Sequence, residues 1–486
     1  MNISKVGLCV LALALAGCAS TPETVTKEQV STSGTDAALS PEISALMEKA
    51  NAGDMKSQYE LGMAYYNGDK ITADRKQYFF WISKSAAQGY IPAQFKVGLA
   101  YEYAEGVMGN DNMAFQWYSK AANAGHARSQ AFLCDMYRSG RGTTLDYAQA
   151  LNWCQKSVAQ NDSFGQIYLG LLYETGLGVT QNYKKAVELY KLAADNDIHM
   201  AQRFLANMYE NGKGVEKSPE IAFGLYKKAA DAGDASSAFS VGLYYDNGYG
   251  VAQDYSKAVY YYQKGIALGD SRAAANLGVM YAHGRGVAQD YGKAMELYSL
   301  AAGQGNAVAM NNIGSLYEDG RDVTKDLNQA FNWYMKAAER GSARAQSNLG
   351  FLYLNGNGVP VDYNQAFHWF NKSAEQGDLN GQLGIAICYH NGTGAPRNYK
   401  EAWQWYSKAA QQGSDTAQYN LGNLYANGLG VKKSLVDAYV WYLIAAANGS
   451  SSAGNAASSL IPQMTKSQVE KAQQKATELY PQYKSR

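Results

Sequence analysis

The sequence predicts an all-α fold, a helix–turn–helix solenoid of eleven 36-residue repeats, from three observations that share one period. The first is a tyrosine. Tyr65 recurs as Tyr101, Tyr137, Tyr173, Tyr209, Tyr245, Tyr281, Tyr317, Tyr353, Tyr389 and Tyr425, in steps of 36 residues without insertion or deletion. The second is a glycine turn after most of these tyrosines, as in Gly140-Arg141-Gly142 and Gly284-Arg285-Gly286. The third is a helix-capping residue at the same spacing: Asp74, Asn110, Asp146, Asn182, Ser218, Asp254, Asp290, Asp326, Asp362, Asn398 and Ser434. Fixed self-similarity at such a period marks a solenoid, in which no unit can bury its own apolar stripe and stacking makes the core.

Ahead of the array, residues 1–17 read as a signal segment. Lys5 is followed by an apolar stretch from Val6 to Ala14, too short for a membrane span and right for a signal core. Leu15-Ala16-Gly17-Cys18 then resembles the lipobox of bacterial lipoproteins. That resemblance implies cleavage before Cys18, acylation of Cys18 and anchorage in a lipid bilayer, stable because several chains are attached. Ala19 in place of aspartate implies sorting to the outer membrane by the enterobacterial rule. Residues 18–40, rich in Ser, Thr, Glu and Ala, read as a flexible tether. Residues 41–53 read as a lone capping helix, residues 54–449 as the eleven repeats, and residues 450–486 as a C-terminal cap and tail. In that last segment Ser450 to Gln463 looks irregular. Thr465 and Gln468 form a possible capping box, and Val469, Ala472, Ala476 and Leu479 make one apolar stripe of a terminal helix.

Within a repeat, an aliphatic residue stands four positions before the Tyr and is often followed by Gly, as in Leu61-Gly62 and Leu277-Gly278. This places aliphatic and Tyr on one face of a first helix, helix A. The glycine turn ends helix A through a left-handed residue. Lys70 and Asp322 replace its second Gly, and Ala104 its first. The capping residue opens helix B, and Pro219 after Ser218 fits the first helical position. Helix B carries a small residue such as Ala114, Ala150 or Ala294. Three positions later comes a large one, which takes seven of the eight tryptophans, all but Trp403. Tryptophan beside alanine at fixed helical spacing reads as core packing, as do the repeat tyrosines. A paired alanine and a glycine such as Gly125 or Gly305 close the helix.

The string Leu277-Gly278 … Tyr281 … Gly284-Arg285-Gly286-Val287 … Asp290-Tyr291-Gly292-Lys293-Ala294 … Tyr298 … Ala301-Ala302 … Gly305 resembles the Sel1-like repeat, a relative of the tetratricopeptide repeat. The resemblance implies a right-handed α/α superhelix whose helices A line a concave face, and a role in binding proteins or peptides.

Composition narrows the function. Lysine and arginine number 43 against 42 acidic residues, a net charge of +1, which does not suit a nucleic-acid partner. No serine is followed three residues later by lysine, and H-E-x-x-H, G-x-S-x-G and G-x-x-x-x-G-K-[ST] are all missing. The five histidines are scattered, and the cysteine spacings fit no metal motif. The chain is therefore expected to hold no catalytic residue, cofactor, metal or small-molecule substrate, although some Sel1-like proteins have been described as acting on β-lactams.

The expected partner surface is set by position. Two residues after the aliphatic stand Leu99, Asp135, Asn207, Leu243 and Phe351, and two before it Phe95, Ile167, Arg203, Phe239 and Tyr419. After the Tyr stand Glu102, Arg138, Glu174, Glu210, Asp246 and Glu318. Apolar groups among charges suit a protein-binding groove. The resulting expectation is an envelope lipoprotein that binds a protein or peptide, in host-factor binding, adhesion or complex assembly. The alternative is a scaffold for polysaccharide or cell-wall assembly.

Cys134 and Cys154 replace the helix-A Gly and the residue after the helix-B Trp in one repeat only. An oxidising compartment would permit a bridge. Antiparallel packing that sets Cys134 opposite Ala150 would leave Cys154 a turn away, so two buried thiols are expected, with Cys388 a third.

Overall fold

The computed structural model describes residues 40–484, and the expected signal segment, Cys18 and the tether up to residue 39 lie outside them. Among the described residues there are twenty-five α-helices, one 3-10 turn and no strand. The fold class is the all-α, right-handed helix–turn–helix solenoid. The chain forms two compact units, residues up to 117 and residues from 118 onward. The first holds a leading helix, Pro41–Asn51, repeat 1 as Met55–Asn67 and Arg75–Ala87, and helix A of repeat 2, Ile91–Tyr103. Helix B of repeat 2 is Asp111–Asn123. The second unit runs from helix A of repeat 3, Ala127–Ser139, to helix B of repeat 11, Leu435–Ala447. Within it each helix packs on the next, and helices A of successive repeats also touch, as Ala343–Asn355 does Leu379–Asn391.

The helix starts and stops follow from the residues already named. Asp290 Oδ1 accepts from Lys293 N at 2.9 Å, and Ser218 Oγ from Ile221 N at 3.3 Å with Pro219 at the first helical position. Each satisfies a donor that helical geometry leaves free. Helix A ends on a left-handed residue, usually Gly. Ala104 holds that conformation at φ 56°, and Lys70 and Asp322 hold the second such position at 59° and 55°. The repeat facing Asp322 accommodates it, because a Cβ on Gly292 would lie 2.7 Å from Asp322 Oδ2.

The core is organised one residue away from the tryptophans. Trp81 and Trp369 are buried, but Trp117, Trp153, Trp333, Trp405 and Trp441 are only half-buried. Lysines roof several of these rings, with Lys408 Nζ 3.6 Å from the centre of Trp405. The repeat tyrosines are likewise half-buried except Tyr245. The deepest position is the residue after the Trp site: Tyr118, Tyr190, Tyr262 and Phe370 are fully buried and Tyr334 nearly so. The glycine of helix A makes room for this ring. A Cβ on Gly278 would sit 2.6 Å from Tyr298, and on Gly314 2.7 Å from Tyr334. The small residue admits the ring of its own repeat, twenty positions later.

Buried glutamines join three helices at a time. Gln346 Nε2 donates to Ala338 O of the preceding helix at 3.2 Å, and its Oε1 accepts from Gln376 of its own helix B at 2.7 Å. The same pair of bonds recurs at Gln130 with Ala122 and Gln160. Such bonds fix the register between repeats, because a buried amide without partners costs about 1–3 kcal/mol.

Two expectations are corrected. Cys134 and Cys154 form a disulfide, with Cα atoms 5.2 Å apart, rather than standing as free thiols. They occupy the glycine and ring positions of repeat 3, which face each other across the two helices. The facing residue is therefore twenty positions on, not sixteen. Cys388 is a free, buried thiol, and burial pushes it up to about 11. At the C-terminus, residues 451–460 are not irregular but form the helix Ser451–Leu460. Its Ala453, Ala457 and Leu460 enter the core that Leu435–Ala447 supplies. The last helix, Lys466–Tyr483, opens with the Thr465–Gln468 capping box and buries Ala472 and Ala476.

Candidate protein-binding face

Helix A carries the candidate site, because its sequence varies where helix B and the turns are constrained by packing. The buried ring of helix B crosses under the helix-A glycine, so its hydroxyl emerges beside the acid that follows the repeat Tyr. Tyr190 donates to Glu174 Oε2 at 2.9 Å, Tyr226 to Glu210 Oε2 at 2.8 Å and Tyr334 to Glu318 Oε2 at 2.6 Å. Burial first, and then the adjacent carboxylate, pushes these three phenols above their ordinary range. They remain neutral donors that hold the acids in place.

The positions expected to meet a partner are divided by this arrangement. In the first unit Phe95, Leu99 and Glu102 are half-buried. Asp135 accepts from Arg138 Nε at 3.1 Å and lies 3.6 Å from Arg141, so Asp135 and Arg138 neutralise each other. Ile167 is fully buried and belongs to the core of repeats 4 and 5, so it presents no surface. Glu174 takes the Tyr190 hydroxyl and an ion pair with Lys213 at 3.4 Å. Arg203 reaches Asp234 of the next repeat at 3.2 Å, and Asn207 stands beside the Tyr226 hydroxyl. Phe239 lies under Arg272 of the next repeat at 4.5 Å, and Leu243 is half-buried. Many of these groups thus serve the contact between neighbouring repeats.

A wide opening on this face lies further along, in repeats 7–10. A groove of about 540 Å3 runs over helices Ser271–His283, Ala307–Asp319, Ala343–Asn355 and Leu379–Asn391. The positional rule that selected the earlier residues reaches its Val279, Asn311, Ser315 and Glu318. It does not reach Asn312, Arg344, Asn348 or Asn380, which also line the groove. One signal was present: Asn276, Asn312, Asn348 and Asn420 recur immediately before the aliphatic at the repeat period. The asparagines are linked, Asn348 Nδ2 donating to Asn311 Oδ1 at 3.0 Å and Asn311 Nδ2 to Asn312 Oδ1 at 3.4 Å. Beneath them, burial pushes the Tyr298 phenol up to about 12. Among the described residues no cluster of His, Cys, Asp and Glu could hold a metal ion, and no helix is long and apolar enough to cross a membrane.

Known proteins match this architecture. The Sel1 repeat profile matches eleven times, over residues 56–90, 91–126, 127–162, 163–198, 199–234, 235–270, 271–306, 307–342, 343–378, 380–414 and 415–450. Among solved structures, c5321, described as a protective antigen present in uropathogenic Escherichia coli strains and displaying an SLR fold, is 34% identical. It covers 91% of this chain and 95% of its own, with a TM-score of 0.66. A Sel1 repeat protein from Oxalobacter formigenes is 31% identical over 51% of this chain and 99% of its own, with a TM-score of 0.46. No curated protein sequence matches the chain.

Proposed function

We propose that this chain, which belongs to the Sel1 repeat family, binds a protein partner in the bacterial cell envelope through its helix-A face. Sel1 repeat solenoids are in general protein-interaction scaffolds and not enzymes. The observation that carries the reading is the groove across four successive helices A, lined by exposed Val308 together with arginine, asparagine and acid side chains. A mixed polar and apolar cleft of this kind suits a protein surface. For the envelope, support comes from the Leu15-Ala16-Gly17-Cys18 sequence and from the Cys134–Cys154 bridge, since disulfides persist in oxidising compartments. The likeness to a protective antigen of uropathogenic E. coli favours the same setting.

Acylated Cys18 would hold the chain to the outer membrane, and residues 19–40 would set the solenoid off from the lipid. The test is crosslinking of intact cells followed by purification of the protein under denaturing conditions. The expected result is one protein recovered in near-stoichiometric amount. Recovery of glycan without any protein would replace this reading with a scaffold for polysaccharide assembly.

A further inference from the structure

We propose that an opening on the helix-B side of repeats 6 and 7 receives a tryptophan side chain of a partner protein, its ring laid on Tyr281 and its N–H directed to Glu296. The site stands apart from the helix-A face and does not rest on the reading above. The opening, of about 290 Å3, lies between helix B of repeat 6, Tyr255–Ala267, and helix B of repeat 7, Tyr291–Gly303. Half-buried Ile266, Tyr281 and Leu297 line it, and exposed Gln263, Lys293 and Glu296 stand at its edge.

The other repeats show what this space takes. Leu297 holds the position that is tryptophan in seven repeats and Tyr261 in repeat 6. The Tyr261 ring stacks on Tyr245, with centres 5.9 Å apart and planes 22° from parallel. Tyr281 is the counterpart of Tyr245, and Leu297 has no ring to set against it. Ile266, where most repeats have alanine, fills only part of the space. The cover is missing as well. Lys156, Lys336 and Lys408 roof their tryptophans at 4.2, 4.2 and 3.6 Å. At the same position repeat 7 has Leu300, 46% exposed. Repeat 7 thus lacks both the ring and the cation over it, and leaves apolar surface next to the opening. An incoming ring would restore the stacked pair of repeat 6 and lie against Ile266 and Leu297.

The edge of the opening selects the ring. Lys293 Nζ lies 5.3 Å from the centre of Tyr281, so an aromatic face set there meets a cation too. Glu296 and Gln263 make no hydrogen bond or ion pair among the described residues. Indole carries one N–H donor on an apolar ring and no acceptor, which a free carboxylate beside an apolar opening suits. Tryptophan seated in a pocket is also the kind of anchor on which protein interfaces depend most.

The test is methyl NMR of full-length protein, labelled at isoleucine and leucine. Capped five-residue peptides with tryptophan, phenylalanine or alanine at the centre are the probes. The tryptophan peptide should shift the Ile266 and Leu297 resonances, the phenylalanine peptide less, and the alanine peptide not at all. Leu297→Trp supplies the ring from within, and should lower affinity for the tryptophan peptide about tenfold or more, read at Ile266. Glu296→Ala, at an exposed site, should weaken the tryptophan peptide about threefold or more and leave the phenylalanine peptide unchanged. Repeat 4 shares both leucine exchanges, as Leu189 and Leu192, and a parallel shift at Leu189 would support the proposal at a second site. No shift at Ile266 with either aromatic peptide, or a shift that both variants leave unchanged, overturns it. Shifts of Ile266 on concentrating the protein alone, abolished by Tyr260→Ala, would assign the opening to a second copy of the chain and overturn it as well.

Discussion

Cys134 and Cys154 change a contact that every other repeat makes with a small residue and a large side chain. In those repeats the helix-A residue, Gly or Ala, abuts the side chain twenty positions on. In repeat 3 the pair is replaced by a bridge at the same place. The two exchanges were visible together in the sequence. The bridge was missed because sixteen residues, not twenty, were taken as the distance between facing positions. Replacing both cysteines with serine should lower stability by about 3 kcal/mol on the loop-entropy estimate, read from denaturant midpoints. In protein acylated at Cys18, denatured without reductant, one reactive thiol, Cys388, is expected, and three would contradict the bridge. The buried tyrosines set an alkaline limit. Burial pushes Tyr298 and Tyr442 up to about 12, whereas the unfolded chain ionises near 10.0. The raised values favour the folded state below pH 10, and this contribution is lost as pH rises from 10 toward 12. The urea midpoint should therefore fall as pH rises from 10 toward 12, and an unchanged midpoint over that interval would contradict the assignment.

Helix boundaries were largely legible because caps and glycine turns are local chemistry. The helix-B capping residues and the glycine stops were readable from residue type, whereas the Tyr90 and Ile198 starts of helix A make no side-chain cap bond and were not. The helix Ser451–Leu460 was not, since its serines mask an apolar stripe of only Ala453, Ala457 and Leu460. The half-burial of the tryptophans was also hidden, because periodicity locates a face but not the depth at which a neighbour covers it. Left-handed Ala104 is the clearest local departure, at φ 56°. Ala104→Gly should raise stability by about 1 kcal/mol, seen as a higher melting temperature. Deletion of one whole unit, residues 234–269, should leave a folded and shorter array, since each repeat contacts its neighbours in the same way. Deleting 18 residues instead, half the 36-residue period, sets a helix A against a helix A and should abolish cooperative melting. Equal losses from the two deletions would contradict nearest-neighbour stacking.

Over the whole chain, repetition made the architecture readable and the binding face hard to read. The period fixes which positions lie on helix A, but the repeat pattern is the same in a repeat that binds and in one that only stacks. The groove spans four successive helices A, and Asn312, Arg344, Asn348 and Asn380 enter its wall from positions outside the rule. That is a property of neighbours in space, which the position rule does not contain. The proposed attachment through acylated Cys18 is a separate matter: Cys18→Ala should move the protein from the membrane fraction to the soluble fraction, and a variant that stays with the membrane would contradict it. The central claim is that the helix-A face meets a protein partner. It is tested most directly by placing a photoreactive amino acid at Asn380 in the groove, or at exposed Gln404 on helix B as control, and irradiating living cells. The account predicts a discrete protein adduct from position 380 and none from position 404. Adducts of equal yield from both positions, or none from 380, would contradict it.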